Sequence, residues 1–158
     1  MADTTLHIEA EGLLSTDYEI RRSDRLVARI DMARMRSAGQ IEAGTASYSA
    51  RPERLFSGNY VMERDGSRVA RAERSGWLRP AYAVRGADRM LMLRPSGMLS
   101  RRYRILHGDR PIGSIAREGF FGRSATAVFD ENVPEEMQLF LIFLALLRWR
   151  KQRQASRG

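Results

Sequence analysis

The sequence predicts a mainly β fold: a twelve-stranded antiparallel closed β-barrel around a buried hydrophobic C-terminal α-helix. Three observations lead to this prediction. An apolar run near the C-terminus is too hydrophobic for any surface position. The chain before it consists of short β-type runs, punctuated by turn residues about every ten residues. Three of the resulting hairpins share one motif. We expect all 158 residues to form one domain.

The predicted strands are runs of alternating, β-branched or aromatic residues bounded by Gly, Asp, Ser and Pro. They are Thr5–Ala10, Tyr18–Arg22, Leu26–Asp31, Gln40–Ala43, Thr45–Ala50, Asn59–Glu63, Arg68–Glu73, Ala81–Arg85, Met90–Arg94, Arg102–Leu106, Pro111–Ala116 and Ser124–Phe129. No sustained helical period occurs among them.

Three hairpins repeat a pattern in which a tyrosine begins the first strand and a small residue follows ten positions later. The pairs are Tyr18 with Ala28, Tyr60 with Ala70, and Tyr103 with Gly113. The tyrosines are 42 and 43 residues apart, and the turns Ser23-Asp24, Asp65-Gly66 and Gly108-Asp109 suit tight connections. A period of this length also occurs in propellers, but three blades are too few and a propeller has no place for an apolar helix.

Residues 133–153 are predicted to form the central helix. Leu139 to Leu147 is an unbroken apolar run, so every face of the helix must be covered. Pro134 suits a first helical turn, while acids at the start and cations at the end match the helix dipole. The apolar part, Met137 to Trp149, is about 20 Å long against about 30 Å of bilayer hydrocarbon, so a membrane span is disfavoured.

Barrel and helix are linked by volume. Eight strands enclose only their own side chains, but twelve leave a lumen that a helix about 10 Å across would fill. Closure also removes the exposed edges of the sheet.

The net charge of +8 comes from 26 arginines and one lysine. Such a charge favours nucleic acid or anionic membrane as a partner, but the arginines are scattered, which is more typical of solvated strand faces. The chain has no cysteine, and MADTTLHIEAEG is acidic with no apolar core of a signal peptide. We expect the protein to be cytoplasmic. Peripheral attachment to a membrane surface is compatible with this location.

The sequence resembles the tubby-like superfamily, in particular its LURP-one-related and phospholipid-scramblase-like branch. The resemblance lies in the hairpin Tyr60-Val-Met-Glu-Arg-Asp-Gly66, the segment Arg101-Arg-Tyr-Arg-Ile105, and the closing helix from Pro134 to Arg150. It implies a twelve-stranded barrel around a C-terminal helix, no enzyme, and association with membranes or phosphoinositides. Scramblase activity is not expected, because that branch would add palmitoylated cysteines and a calcium-binding acidic segment.

The sequence holds no catalytic constellation. It lacks a nucleophile elbow, a phosphate loop and a dinucleotide fingerprint, and His7 and His107 have no metal-ligand spacing around them. We therefore predict no catalytic residues, no metal and no cofactor, and a non-enzymatic binding role.

Bulky apolar residues flanked by arginine recur at equivalent positions of the three repeats. They are Met35 in the first repeat, Trp77, Leu78 and Arg79 in the second, and Phe120, Phe121 and Arg123 in the third. Two interpretations stay open. The side chains insert into an anionic phospholipid or phosphoinositide surface, with arginine meeting phosphate. Alternatively they plug the end of the barrel, which is the favoured interpretation. The alternative functions are a protein-interaction module and a nucleic-acid-binding module.

Overall fold

The twelve predicted strands all form, and they close into one barrel. The computed structural model describes residues 3–12, 16–35, 38–76, 79–97, 101–119, 123–130 and 132–157. The strands are β1 (Thr4–Ala10), β2 (Asp17–Arg22), β3 (Arg25–Met35), β4 (Ala38–Ala43), β5 (Ala46–Pro52), β6 (Tyr60–Arg64), β7 (Ser67–Ser75), β8 (Ala81–Arg85), β9 (Met90–Ser96), β10 (Arg102–His107), β11 (Arg110–Glu118) and β12 (Ser124–Phe129). One helix follows, α1 (Glu135–Arg157).

Each strand pairs antiparallel with its neighbours in sequence, and β1 pairs with β12 to close the barrel. The predicted bounds agree to within two residues for every strand except β3, which was expected to end at Asp31. A register irregularity between Asp31 and Met35 interrupts the alternation of side chains there. Strands are predicted from the alternation of apolar and polar residues. The predicted strand therefore ended where the irregularity begins.

The helix fills the lumen. Its residues from Met137 to Leu147, and Trp149, are all buried, which confirms that the apolar run is covered on every face. Pro134 lies just before the helix and its carbonyl accepts the bond from the Gln138 amide, 3.0 Å away. The predicted end at residue 153 was too early: the helix continues to Arg157, because the polar tail still contains good helix formers. Within the described residues, the structure contains no helix with the length and apolar character needed to span a membrane.

The three repeated hairpins have one geometry. Tyr18, Tyr60 and Tyr103 lie opposite Ile30, Ala72 and Ile115, respectively. In each hairpin the second strand has a bulge of one extra residue, Val27, Val69 or Ile112, directly before the small residue Ala28, Ala70 or Gly113. The residue five positions after each tyrosine has positive φ, at 54° for Ser23, 52° for Asp65 and 62° for Gly108. The motif therefore specifies a bulged hairpin that is used once in every four strands.

The two ends of the barrel differ, because the helix enters at one and leaves at the other. At the entry end lie the turns of the three hairpins and the start of the helix, where Met137 packs against Gly86. At the other end, here called the exit end, the helix leaves the barrel. The connections β1–β2, β3–β4, β5–β6, β7–β8, β9–β10 and β11–β12 all leave the strands at the exit end.

Small residues in the wall let the helix approach closely. A Cβ atom added to Gly39 would lie 3.0 Å from the Phe143 ring, and one added to Gly86 would lie 2.7 Å from the Met137 sulfur. Aromatic rings fill the wider gaps, with Tyr60 placed edge-on to Phe143 at 6.5 Å between centroids. The packing of wall against helix thus varies residue by residue around the lumen.

A charged residue in the centre of the helix should abolish folding. Ile142 is 0% exposed, and an unpaired buried charge costs several kcal/mol, on the scale of a typical domain stability of about 5–15 kcal/mol. We expect Ile142→Asp to give no cooperative thermal transition by circular dichroism. Leu26→Asp, at a partly exposed wall position, is the control and should melt close to the parent protein. A normal transition for Ile142→Asp would show that the helix is not the core.

Alkaline pH should destabilise the barrel through Tyr82. Burial raises the pKa of this tyrosine from 10.0 to about 12. Since the unfolded state loses the proton first, the contribution is complete below pH 10 and is lost as the pH rises toward 12. This contribution to the free energy of unfolding amounts to about 3 kcal/mol. In urea unfolding, Tyr82→Phe should lose less stability over this range than the parent. Identical pH dependence of the two proteins would contradict the prediction.

Candidate functional site

Arginine side chains link successive connections around the exit end. Each donates a hydrogen bond to a glycine carbonyl in the next connection along the barrel. The three bonds are Arg79 to Gly97, Arg101 to Gly119 (2.7 Å), and Arg123 to Gly12. The arginines follow one another at intervals of 22 residues. The equal spacing of these arginines is the sequence signal from which the series of hydrogen bonds could have been predicted.

The glycines before these arginines share one backbone conformation, with φ of 89° at Gly76, 83° at Gly97 and 75° at Gly119. Such values favour glycine because it has no Cβ atom. In the sequence each glycine is followed by two apolar residues and then, one or two positions later, by an arginine. The exit end therefore repeats a loop motif that differs from the hairpin motif of the entry end.

Two of the predicted contact residues, Arg79 and Arg123, take part in the bonds described above. The other predictions, the side chain of Met35 and the residues Trp77, Leu78, Phe120 and Phe121, lie outside the described residues. The described strand ends that flank them, in β3, β4, β7, β8, β11 and β12, are all at the exit end. Insertion and plugging both stay open as interpretations of these side chains.

The repeated tyrosines meet the basic end of the helix. Lys151 donates to the Tyr60 hydroxyl at 2.9 Å, and Arg153 donates to the Tyr18 hydroxyl at 3.5 Å. Arg148 acts on the third tyrosine, Tyr103: burial raises the pKa of this tyrosine, and the nearby guanidinium opposes the rise. Because the tyrosines recur every four strands, they surround the helix and connect its last turns to the wall.

The arginines fall into two groups. Those in salt bridges belong to the strands and to the entry-end turns: Arg21, Arg29, Arg51, Arg64, Arg68, Arg71, Arg89 and Arg110. The exit-end cations that form no salt bridge with any carboxylate of the described residues include Arg79, Arg101, Arg117, Arg150 and Lys151. The positive charge of the exit end is thus less neutralised than that of the wall.

The β5–β6 connection carries two exposed apolar residues that sequence reasoning missed. Leu55 is 85% exposed and Phe56 is fully exposed. Phe56 has φ of 65°, an unfavourable conformation for a bulky residue. Phe56 also borders an open cavity of about 270 Å³ together with Ser57, Arg74 and Gly76. The sequence signal was an apolar pair inside a turn, which by itself cannot distinguish an exposed position from a buried one.

An acidic cavity of about 260 Å³ lies beside β1–β4, lined by Glu11, Asp17, Asp31 and Glu42 among others. Burial raises the pKa of Asp17, and a hydrogen bond and repulsion from Asp31 raise it further. Arg29 offsets part of this charge through an ion pair of 3.7 Å with Glu11. The described residues that line this cavity beside β1–β4 are thus mainly acidic, in contrast to the exit-end cations. The described residues include no group of three carboxylate or imidazole side chains arranged to bind a metal ion.

The tyrosine contacts should hold the end of the helix. Removing the hydroxyl that accepts from Lys151, in Tyr60→Phe, should lower the free energy of unfolding by about 1 kcal/mol in urea titration. Tyr18→Phe is the matched control, because its bond to Arg153 is 3.5 Å against 2.9 Å, and it should cost less. Equal stability of both variants and the parent would show that these contacts do not anchor the helix.

No protein-family model matches this chain, and no curated protein matches it either. The resemblance to the tubby-like superfamily therefore stays a prediction, and the twelve-stranded barrel around a C-terminal helix is established by the geometry alone.

Proposed function

We propose that this protein is a non-enzymatic domain that binds anionic phospholipid at a membrane surface through the exit end of its barrel. The observation that carries the proposal is the pair Leu55 and Phe56, two exposed apolar side chains at the same end as the cations that lack salt bridges. An apolar tip surrounded by basic residues is the pattern by which peripheral proteins enter the lipid headgroup region.

The apolar contribution can be bounded. Full burial of a leucine or phenylalanine side chain is worth about 1.5–3 kcal/mol relative to exposure. The backbone conformation of Phe56 costs free energy that no burial within the protein returns. An external apolar phase would explain why the ring is held in that position. The cavity between Phe56 and Arg74 would admit part of a lipid headgroup.

The electrostatic contribution comes from the exit-end cations. A basic residue close to an anionic leaflet contributes about 1 kcal/mol. Arg79, Arg101 and Lys151 bond to carbonyl or hydroxyl oxygens, so their charges stay available to an anionic surface. Several such charges with two inserted side chains would give weak and reversible attachment. The resemblance to the tubby-like superfamily, itself a prediction, implies the same class of ligand.

The test is co-sedimentation with vesicles of phosphatidylcholine and phosphatidylglycerol at low salt. The double variant Leu55→Ala with Phe56→Asn removes the apolar tip, and asparagine tolerates positive φ, so the fold should be kept. We expect its binding to fall about tenfold, a loss of about 1.4 kcal/mol. Leu26→Ala with Met90→Ala is the matched control, because these partly exposed apolar residues begin β3 and β9 at the entry end.

Three outcomes would count against the proposal: no vesicle binding by the parent, equal loss in both double variants, or no loss in either. The alternative functions are separated in the same experiment. A gel shift with single-stranded oligonucleotides that depends on Phe56 would favour nucleic-acid binding, because bases stack on exposed rings beside basic grooves. Absence of both activities would favour a protein-interaction module.

A further inference from the structure

Two arginines lie opposite each other at the exit end of the β10–β11 pair, with Arg101 exposed and Arg117 half-buried. The Arg117 amide donates to the Arg101 carbonyl at 2.8 Å, which continues the register of Arg102 with Ala116 and of Tyr103 with Ile115. Side chains alternate between the two faces of a strand, so Arg101 and Arg117 lie on the same face as the buried Tyr103 and Ile115. Like charges placed directly opposite each other destabilise a sheet. This pair therefore needs a compensating interaction.

Arg153 adds further positive charge to the surroundings of the pair. Burial lowers the pKa of Arg117, and the charges of Arg153 and Arg101 lower it further; only Tyr18 acts in the opposite direction. Neither Arg101 nor Arg117 forms a salt bridge with the described residues. The Nε atom of Arg117 is buried and has no hydrogen-bond partner in the described part of the chain. Arg101, Arg117 and Arg153 are here called the inner cluster.

An anion with several acceptor oxygens would compensate all of these features together. It would accept from the buried Nε, and its charge would offset the repulsion between the guanidinium groups. Guanidinium forks match the geometry of phosphate oxygens and bind them bidentately. A phosphate monoester carries close to two negative charges at neutral pH, whereas a diester or a carboxylate carries one. Because the cluster presents three positive charges, the monoester fits it better.

We propose that the inner cluster, Arg101, Arg117 and Arg153, is a binding site for a phosphate monoester dianion. The dianion could belong to a lipid headgroup or to a soluble compound, and the chemistry of recognition is the same for both. The inference deepens the proposed function and rests on it only for the lipid source.

The first experiment is calorimetric titration of the full chain with inorganic phosphate at constant ionic strength. Dimethyl phosphate, a diester, is the comparison ligand. We expect saturable binding of phosphate that is at least about tenfold tighter than that of the diester. Arg117→Gln should weaken phosphate binding about tenfold or more. Arg104→Gln is the matched control, because Arg104 is an exposed arginine on β10 next to Tyr103 and opposite Ser114, on the outer face.

A second readout separates a binding role from a structural one. In phosphate-free buffer Arg117→Gln should unfold at the same temperature as the parent or higher, since it removes a like-charge contact. Added phosphate should raise the melting temperature of the parent and of Arg104→Gln but not that of Arg117→Gln. No saturable phosphate binding, equal affinity for the diester, or equal loss in both variants would overturn the inference.

Vesicles distinguish the two sources of phosphate. Phosphatidic acid has a monoester headgroup, and phosphatidylglycerol has a diester. Preference for phosphatidic acid that is lost in Arg117→Gln supports a lipid source, while saturable phosphate binding without this preference supports a soluble ligand. If vesicles bind but phosphate does not, and Arg117→Gln binds vesicles normally, the inference fails and the proposed function stands. If phosphate binds and no vesicle does, the proposed function fails and the inference stands.

Discussion

Enclosure of a helix that is apolar on every face is the constraint on which the rest of this structure depends. No surface position could satisfy Leu139 to Leu147, because a helix at the surface turns one side to water. The wall must therefore surround it completely, and only a barrel of about twelve strands has room for a helix about 10 Å wide. Closure and helix are thus mutually dependent: the lumen needs filling, and the helix needs a wall.

The repeated hairpin supplies that wall economically. Each copy combines a tyrosine, a bulge and a residue with positive φ, and bulges increase the local twist that closing a sheet requires. The same copies place a tyrosine near the exit end every four strands. These hydroxyls receive the cations of the last helical turns, so one motif serves both the curvature of the wall and the position of the helix end.

The proposed function lies at one end of the barrel because the two groups of arginines are partnered differently. Wall arginines such as Arg71 pair with carboxylates such as Glu53, as the scattered charge in the sequence suggests. At the exit end the helix terminus and the connections bring cations together whose partners are carbonyls and tyrosines. Surface ion pairs contribute little to stability, so the wall pairs neutralise charge more than they hold the fold. Hydrogen bonds to carbonyl and hydroxyl oxygens hold these side chains in place but do not neutralise their charge.

The sequence by itself determined the strand pattern, the central helix and the equivalence of the three hairpins, because periodicity and turn chemistry are local properties. It also indicated that arginine-flanked apolar segments repeat. Only the tertiary structure decided that β3 continues past its irregularity to Met35, that Leu55 and Phe56 are exposed, and that Arg101 faces Arg117. These facts depend on register, on closure and on which face of a strand a residue occupies. A single slip of register reverses every face, so no local pattern carries that information.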